Sequence, residues 1–150
     1  MTDRVELKEF QIEHIDLFAW RPDDFKTYNI NSEFVAALLR AEKDGESYTA
    51  VHKGRILVIG GISRLSRKTG YAFTLFSRYA DQSPISAAKT VKRMFSRMVE
   101  DMDLHRIVTY NRIGAENHHR WCEWLGFQRE GLAVKFDDEG NDYIQYALTR

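Results

Sequence analysis

The chain has 150 residues, the size of one ordinary domain, and 43% of them are hydrophobic, enough for a core that needs no disulfide or metal. Its 22 basic and 22 acidic residues cancel, which argues against a general nucleic-acid binder. A single cysteine excludes an internal disulfide and favours a reducing compartment, and neither a membrane span nor a signal peptide is apparent. We therefore expect one cytoplasmic domain over residues 1–150, with no nucleic-acid or membrane partner.

The first elements are a strand and two helices. Val5 and Leu7 alternate with polar neighbours, which predicts a short strand. Apolar residues recur at helical spacing over 12–18 and predict the first helix. A second helix is expected over Glu33–Lys43, where Asp44-Gly45 ends it.

The middle of the chain predicts a hairpin, a strand and a long helix. Ser47–His52 and Arg55–Ile62 are β-rich runs joined by the two-residue turn Lys53-Gly54. Gly70–Ser77 is expected to form a further strand. Ser86–Met102 is the clearest helix in the chain, because its apolar residues recur every three or four positions. That apolar stripe consists of Ala88, Val91, Phe95, Met98 and Met102.

The last third predicts a strand, a helix and a final hairpin. The strand covers His105–Tyr110, the helix covers Ala115–Leu125, and Gly126 ends that helix. Phe127–Phe136 and Tyr143–Leu148 form the hairpin. Strands and helices thus alternate along most of the chain. This order predicts an α/β domain (mixed α+β) with a single mixed sheet of six or seven strands and about four helices on both faces.

A passage near the C-terminus is similar to a known family. Leu125-Gly126-Phe127, followed by Glu130-Gly131, resembles the passage from the fourth helix to the sixth strand of the GNAT N-acetyltransferase superfamily. The element order over about residues 3–149 is also similar. The resemblance implies a GNAT-like domain with a mostly antiparallel sheet. Leu125, Gly126 and Phe127 themselves are expected to be structural, since a glycine past a helix often takes positive φ and the next residue can then enter the core.

A finer resemblance lies in the same region. Arg120-Trp121, Trp124 and the segment Asp137–Tyr146 are similar to a phage GNAT-like family that includes internal virion proteins. This second resemblance permits a protein without catalysis, either a virion component or a module that binds a phage or host protein.

The superfamily resemblance implies acetyl-CoA as cofactor, bound where the fourth and fifth strands splay apart. Backbone N–H groups of the fourth strand, here near Leu75, Phe76 and Ser77, would polarise the thioester carbonyl and stabilise its developing negative charge.

The resemblance also places the cofactor's pyrophosphate on the N-terminus of the following helix, where free N–H groups and the positive helix end favour an anion. The family's glycine-containing loop is replaced here by SRYADQSPISAAK, which has no glycine. The candidate phosphate contacts are therefore Ser83, Ile85 and Ser86. The alternative is an ordinary Ser/Pro helix start without a ligand.

A candidate acid lies in the last helix. The superfamily often has a tyrosine five residues before the phenylalanine of Leu-Gly-Phe, and it protonates the leaving CoA thiolate. Counting back from Phe127 gives Cys122, whose thiol would take that role. The alternative is a small buried hydrophobic residue. His118 and Cys122 share a helical face, but structural zinc needs about four ligands and the sequence shows no second cluster, so we expect no metal site.

Two functions stay open at this point. The first is transfer of an acetyl group from acetyl-CoA to an amine of a small molecule or protein, with Glu33, His52 or Tyr71 as candidate general bases. The second is the non-catalytic phage or host-binding role, which the glycine-free loop and the cysteine at the tyrosine position favour.

Overall fold

A computed structural model describes residues 4–21, 32–82 and 84–150, with the backbone alone for 32–37. Its sheet has seven strands in the order β1-β2-β3-β4-β5-β7-β6. In this part of the chain β4 and β5 are the one parallel pair, so the sheet is mostly antiparallel. The strands are β1 (Glu6–Glu9), β2 (Gly45–His52), β3 (Arg55–Ser66), β4 (Thr69–Phe76), β5 (Arg106–Arg112), β6 (Gln128–Ala133) and β7 (Tyr143–Thr149).

Within the described residues, three α-helices and two short 3-10 helices accompany the sheet. The α-helices are α1 (Ser32–Lys43), α2 (Pro84–Asp101) and α3 (Glu116–Leu125). The segment predicted as the first helix is a 3-10 helix, Ile12–Leu17, and a second 3-10 helix, Arg78–Gln82, lies in the loop before α2. The predicted fold class, a single mixed sheet with helices on both faces, is confirmed.

Helices α2 and α3 cover one face of the sheet, which we call face A. The apolar stripe of α2 is buried here, with Phe95, Met98 and Met102 against Ile62 of β3. Phe127 joins the same cluster, and its ring centroid lies 5.5 Å from that of Phe95. The stripe therefore has its predicted role, which is to attach the long helix to the sheet.

Helix α1 and the first 3-10 helix cover the opposite face, face B. Leu38 and Ala41 of α1 pack on a cluster that includes Ile59 of β3 and Phe73 and Leu75 of β4. Because side chains alternate along a strand, the even-numbered residues of β4 lie on face A and its odd-numbered residues lie on face B.

Two predicted local signals are confirmed. Lys53 and Gly54 both have positive φ, 52° and 75°, which is the geometry of the tight hairpin turn between β2 and β3. Gly126 ends α3 with φ 105°, and its N–H donates to the carbonyls of Cys122 and Glu123. A residue with a Cβ would be strained at that φ.

Strands β4 and β5 separate soon after they meet. They pair over three residue positions, ending at Tyr71 opposite Val108. Beyond these, the hydroxyl of Thr109 donates to the carbonyl of Ala72 at 2.9 Å, and further along β4 pairs with β3 while β5 pairs with β7. The sheet therefore opens as a wedge between residues 73–76 and 110–112.

Candidate active site

A cleft of about 590 Å³ occupies this wedge and passes through the sheet. That volume is in the range of small-molecule sites, about 300–1,000 Å³. Side chains from both sheet faces line the cleft, and we call its two ends the face A mouth and the face B mouth. On face A the lining includes Ala87, Ala88, Trp121 and Cys122, and on face B it includes Arg40, Tyr71, Tyr110, Arg112, Phe136 and Tyr143.

The backbone of β4 presents its peptide groups to the cleft at alternate residues. The carbonyl of Ala72 points toward β5, where it accepts from Thr109, whereas the N–H of Ser77 points the other way and donates to Leu57 of β3 at 2.9 Å. Since both peptide groups of a residue point to the same side in an extended strand, Phe76 directs its N–H toward the wedge. The N–H of Leu75 points toward β3, as that of Ser77 does, and the Leu75 side chain packs in the core on face B.

The start of α2 forms one end of the face A mouth. Pro84, Ala87 and Ala88 line the cleft, whereas Ile85 is 71% exposed and Ser86 is also turned to solvent. Proline at the first helical position has no N–H, but the next N–H groups have no intrahelical acceptor. The first turn carries no acidic residue, so nothing in it repels an anion. Ser83, the remaining predicted contact, lies outside the described residues.

Arg21 adds a positive charge beside this mouth. Its guanidinium bonds to Asp81 at 2.5 Å and lies over the Phe76 ring, 5.5 Å from the centroid. The Nε atom is buried and has no hydrogen-bond partner among the residues that the structure describes. Arg21 also lines the cleft.

Two rings meet at this mouth. Phe76 of β4 and Trp121 of α3 make an edge-to-face contact with centroids 4.9 Å apart. The two residues lie on opposite sides of the wedge, so their contact bridges it and gives the cleft an aromatic wall.

Cys122 lies in the cleft with little exposure, about 6%. The side-chain amide of Asn111 donates to its sulfur at 3.0 Å. Burial raises the pKa of the Cys122 thiol to about 11, and the Asn111 hydrogen bond only partly opposes this effect. The thiol is therefore protonated at neutral pH and is a weaker acid than an exposed cysteine.

The face B mouth is lined with aromatic rings. Tyr110 stacks on Phe136 with centroids 4.4 Å apart, and Phe136 lies 5.0 Å from Tyr143. Tyr71 is 6.3 Å from Tyr110. Burial raises the pKa of both Tyr71 and Tyr143 to about 12, so both hydroxyls stay protonated near pH 7.

Two arginines accompany these rings. Arg40 lowers the pKa of Tyr71 and Arg112 lowers that of Tyr143, partly opposing the effect of burial, so each cation lies within electrostatic reach of a cleft tyrosine. The carbonyl of Arg112 accepts from Nε2 of His119 at 2.9 Å, and Nδ1 of His119 accepts from the Tyr146 hydroxyl at 2.7 Å. The buried histidine thus holds the end of β5 in place.

The remaining sequence candidates are spread over the structure. Tyr71 lines the cleft, whereas His52 ends β2 and is not among the lining residues. The side chain of Glu33 lies outside the described part of the chain. Among the residues described, no group of three or more His, Cys, Asp or Glu side chains is close enough to hold a metal ion.

Solved structures similar to this chain include acetyltransferases. A GNAT family acetyltransferase from Elizabethkingia anophelis with acetyl-CoA bound matches with a TM-score of 0.73 at 11% identity, over 99% of this chain and 100% of that chain. This chain has the fold of the GNAT acetyltransferases. The spermidine N-acetyltransferase from Vibrio cholerae, in complex with CoA and spermine, matches at 0.74 and 10% identity, over 99% and 96% of the two chains.

A further match to the GNAT fold is the IAA acetyltransferase from Bacillus cereus ATCC 14579, with a TM-score of 0.75 and 11% identity over 98% of this chain and 100% of that one. No protein-family model matches the sequence, and no curated protein matches it. None of the helices described is long and apolar enough to cross a membrane.

Sequence reasoning missed Arg21, Arg40 and Arg112. Each lies in a region without a motif, and the fold brings the three to one cleft from residues far apart in the chain. The signal that could have suggested Arg112 was its place just after the predicted strand His105–Tyr110, since α/β proteins tend to bind ligands beyond the carboxyl ends of strands.

Proposed function

We propose that the protein is an acetyl-CoA-dependent N-acetyltransferase. The observation that carries the proposal is the separation of β4 and β5, which opens a two-mouthed cleft beside the N-terminus of α2. Two structures of the same fold contain acetyl-CoA or CoA, and one of them also contains the amine spermine. A cleft lined from both faces would let a thioester enter from one side and an amine from the other.

Acetyl-CoA would occupy the face A mouth. Its pyrophosphate would be held at the N-terminus of α2 by the N–H groups of Ile85 and Ser86, and Ser83, outside the described residues, stays a candidate contact. Arg21 is paired with Asp81, but its buried Nε–H has no partner among the described residues and would donate to a phosphate oxygen in place of the missing glycine loop. The pantetheine arm would then run beside the Phe76–Trp121 pair into the wedge.

The reaction is direct transfer. The nitrogen lone pair of a neutral amine attacks the thioester carbon, and a C–N bond forms as the C–S bond breaks. The N–H of Phe76 is the β4 group placed to stabilise the negative charge on the carbonyl oxygen. Sulfur leaves with the bonding pair and takes a proton, while the acetylated nitrogen releases one to solvent.

The proton for the leaving thiolate has two candidate sources, Cys122 and water. Cys122 lines the cleft on face A. However, a thiol with a pKa of about 11 transfers its proton uphill to a thiolate whose conjugate acid has a pKa of about 8.5. We therefore assign this role to the proton that the attacking nitrogen releases, carried to sulfur by water.

Calorimetric titration and thermal denaturation with acetyl-CoA test the proposal, because a ligand that binds the folded state must raise its melting temperature. Ser86→Glu places a negative charge at the third residue of α2, where it repels the pyrophosphate while suiting a helix start. We expect it to weaken binding at least about tenfold. Ser86→Gln introduces a neutral side chain of the same size as glutamate, and this variant should bind acetyl-CoA nearly as well as wild type does.

The opposite result favours the other function. If wild type gives neither heat nor a thermal shift with acetyl-CoA, the enzyme proposal fails. The role of a non-catalytic virion or host-binding protein, which the phage resemblance permits, would then stand. If catalysis is found, we propose a cytoplasmic location, since the only cysteine is free and buried.

A further inference from the structure

The face B mouth has the chemistry to select the acceptor, and this inference rests on the proposed function. We propose that the acceptor is an amine carrying a carboxylate and an aromatic or branched apolar body, which is the chemistry of a free apolar amino acid. The guanidinium of Arg112 holds the carboxylate, and the rings of Tyr110, Phe136 and Tyr143 hold the body.

Arg112 has an unused donor at the cleft. Its Nε is buried and has no hydrogen-bond partner among the described residues, although the side chain lines the cleft. A buried N–H without an acceptor is costly, and a carboxylate is the acceptor that pairs best with a guanidinium. The hydrogen bond from His119 holds the Arg112 carbonyl, so the backbone that carries the guanidinium is fixed before any ligand arrives.

The ring wall lies beside this donor. Phe136 is 48% exposed, and its ring contacts both Tyr110 and Tyr143. An exposed aromatic cluster at a cleft mouth provides apolar area and preferred ring-stacking geometry for a ligand. Arg112 is the strand partner of Tyr143, so the cation and the rings meet at one place.

The charges at this mouth disfavour a polycation. Arg40 and Arg112 both line it. The nearest lining carboxylate, Asp137, is engaged inside its own loop: it accepts from the backbone N–H groups of Glu139 and Asn141, from the Asn141 amide and from the Tyr143 hydroxyl, at 2.8–3.1 Å. A polyamine would meet two arginines here against one carboxylate whose oxygens already accept four hydrogen bonds, whereas a carboxylate ligand meets complementary charge.

A set of three amines tests the inference. L-Phenylalanine and L-phenylalaninamide share the ring and the amine and differ in the negative charge, and spermine is the polycation. Thiol release from acetyl-CoA gives kcat/KM for each. In wild type we expect phenylalanine to exceed the amide by about tenfold or more, with the difference mainly in KM, and spermine to be the poorest.

Arg112→Gln should reduce the acid-to-amide ratio to near one, and Arg112→Lys should restore part of it, because lysine keeps the charge without the planar fork. Arg106→Gln is the matched control. It removes an arginine from the same strand, where Arg106 pairs with exposed Glu130, and should leave the ratio unchanged.

The outcomes separate the two proposals. Wild type that acetylates the amide or spermine as well as phenylalanine overturns the acceptor class and leaves the acetyltransferase proposal intact. Failure to acetylate any of the three while acetyl-CoA binds overturns the acceptor class. Failure to bind acetyl-CoA at all overturns both. Should Arg112→Gln not fold, the wild-type ratio and Arg112→Lys still decide.

Discussion

Replacing Cys122 with alanine tests whether its thiol takes part in catalysis or only packs in the protein. If Cys122 donated the proton to the leaving thiolate, the transfer would run from a pKa of about 11 to one of about 8.5. That difference is about 2.5 pKa units, or about 3.4 kcal/mol, so proton donation from this thiol to the leaving thiolate is unfavourable. We therefore expect the turnover rate of Cys122→Ala to stay within about threefold of wild type.

The same substitution has a stability cost that must be kept apart from its effect on turnover. It removes the sulfur that accepts from Asn111 at 3.0 Å, which leaves that amide only the long 3.4 Å contact to the His118 carbonyl. A buried donor without a good acceptor costs about 1–3 kcal/mol. Cys122→Ser keeps an acceptor and should be the more stable variant of the two.

The assay is steady-state thiol release at a temperature where all three proteins are folded, with acetyl-CoA affinity measured in parallel. If both variants turned over about 100-fold more slowly than wild type, or slower still, at unchanged acetyl-CoA affinity, the water assignment would be refuted. Cys122 would instead be identified as the acid.

Three further predictions concern packing and titration. Phe127→Ala should destabilise the protein by about 3–5 kcal/mol, because Phe127 is only 4% exposed. Phe136→Ala, at a position 48% exposed, should cost less than half as much. If the two variants had equal denaturation midpoints, Phe127 would not be a core anchor. Alkylation of Cys122 at pH 8 should be at least about 100-fold slower in the folded than in the denatured protein, since the higher pKa lowers the thiolate fraction by that factor; comparable rates would contradict a buried thiol. His119→Ala should lower both the melting temperature and the preference for phenylalanine over its amide, because it frees the Arg112 carbonyl; an unchanged preference would remove His119 as a positioning residue.

Raised pKa values also set the direction of a pH effect. Cys122 has a higher pKa folded, about 11, than its ordinary value of 9.0, so folding favours the protonated thiol. The stability it contributes is fully present below pH 9 and is lost as the pH rises toward 11. The difference in unfolding free energy between wild type and Cys122→Ser should therefore shrink over that window in chemical denaturation. A constant difference would contradict the burial of the thiol.

Local patterns were sufficient for most of the secondary structure. Lys53-Gly54 predicted a tight turn and Gly126 a helix end because positive φ is a property of the residue and its immediate neighbours. The stripe of α2 predicted a buried face because its spacing matches the helix period. The segment 12–18 was less clear, since six residues with helical spacing suit a 3-10 helix as well as an α-helix.

The candidate site depended on more than local pattern. The sequence by itself determined an alternating order of strands and helices, a helix start free of acidic residues, and a cysteine five residues before Phe127. Only the tertiary structure decided that β4 turns the N–H of Ser77 toward β3 and that of Phe76 toward the wedge. It also decided that Arg21, Arg40 and Arg112 meet at one cleft. The physical reason is that strand pairing and the separation of β4 from β5 are contacts between residues distant in the chain, which no local spacing encodes.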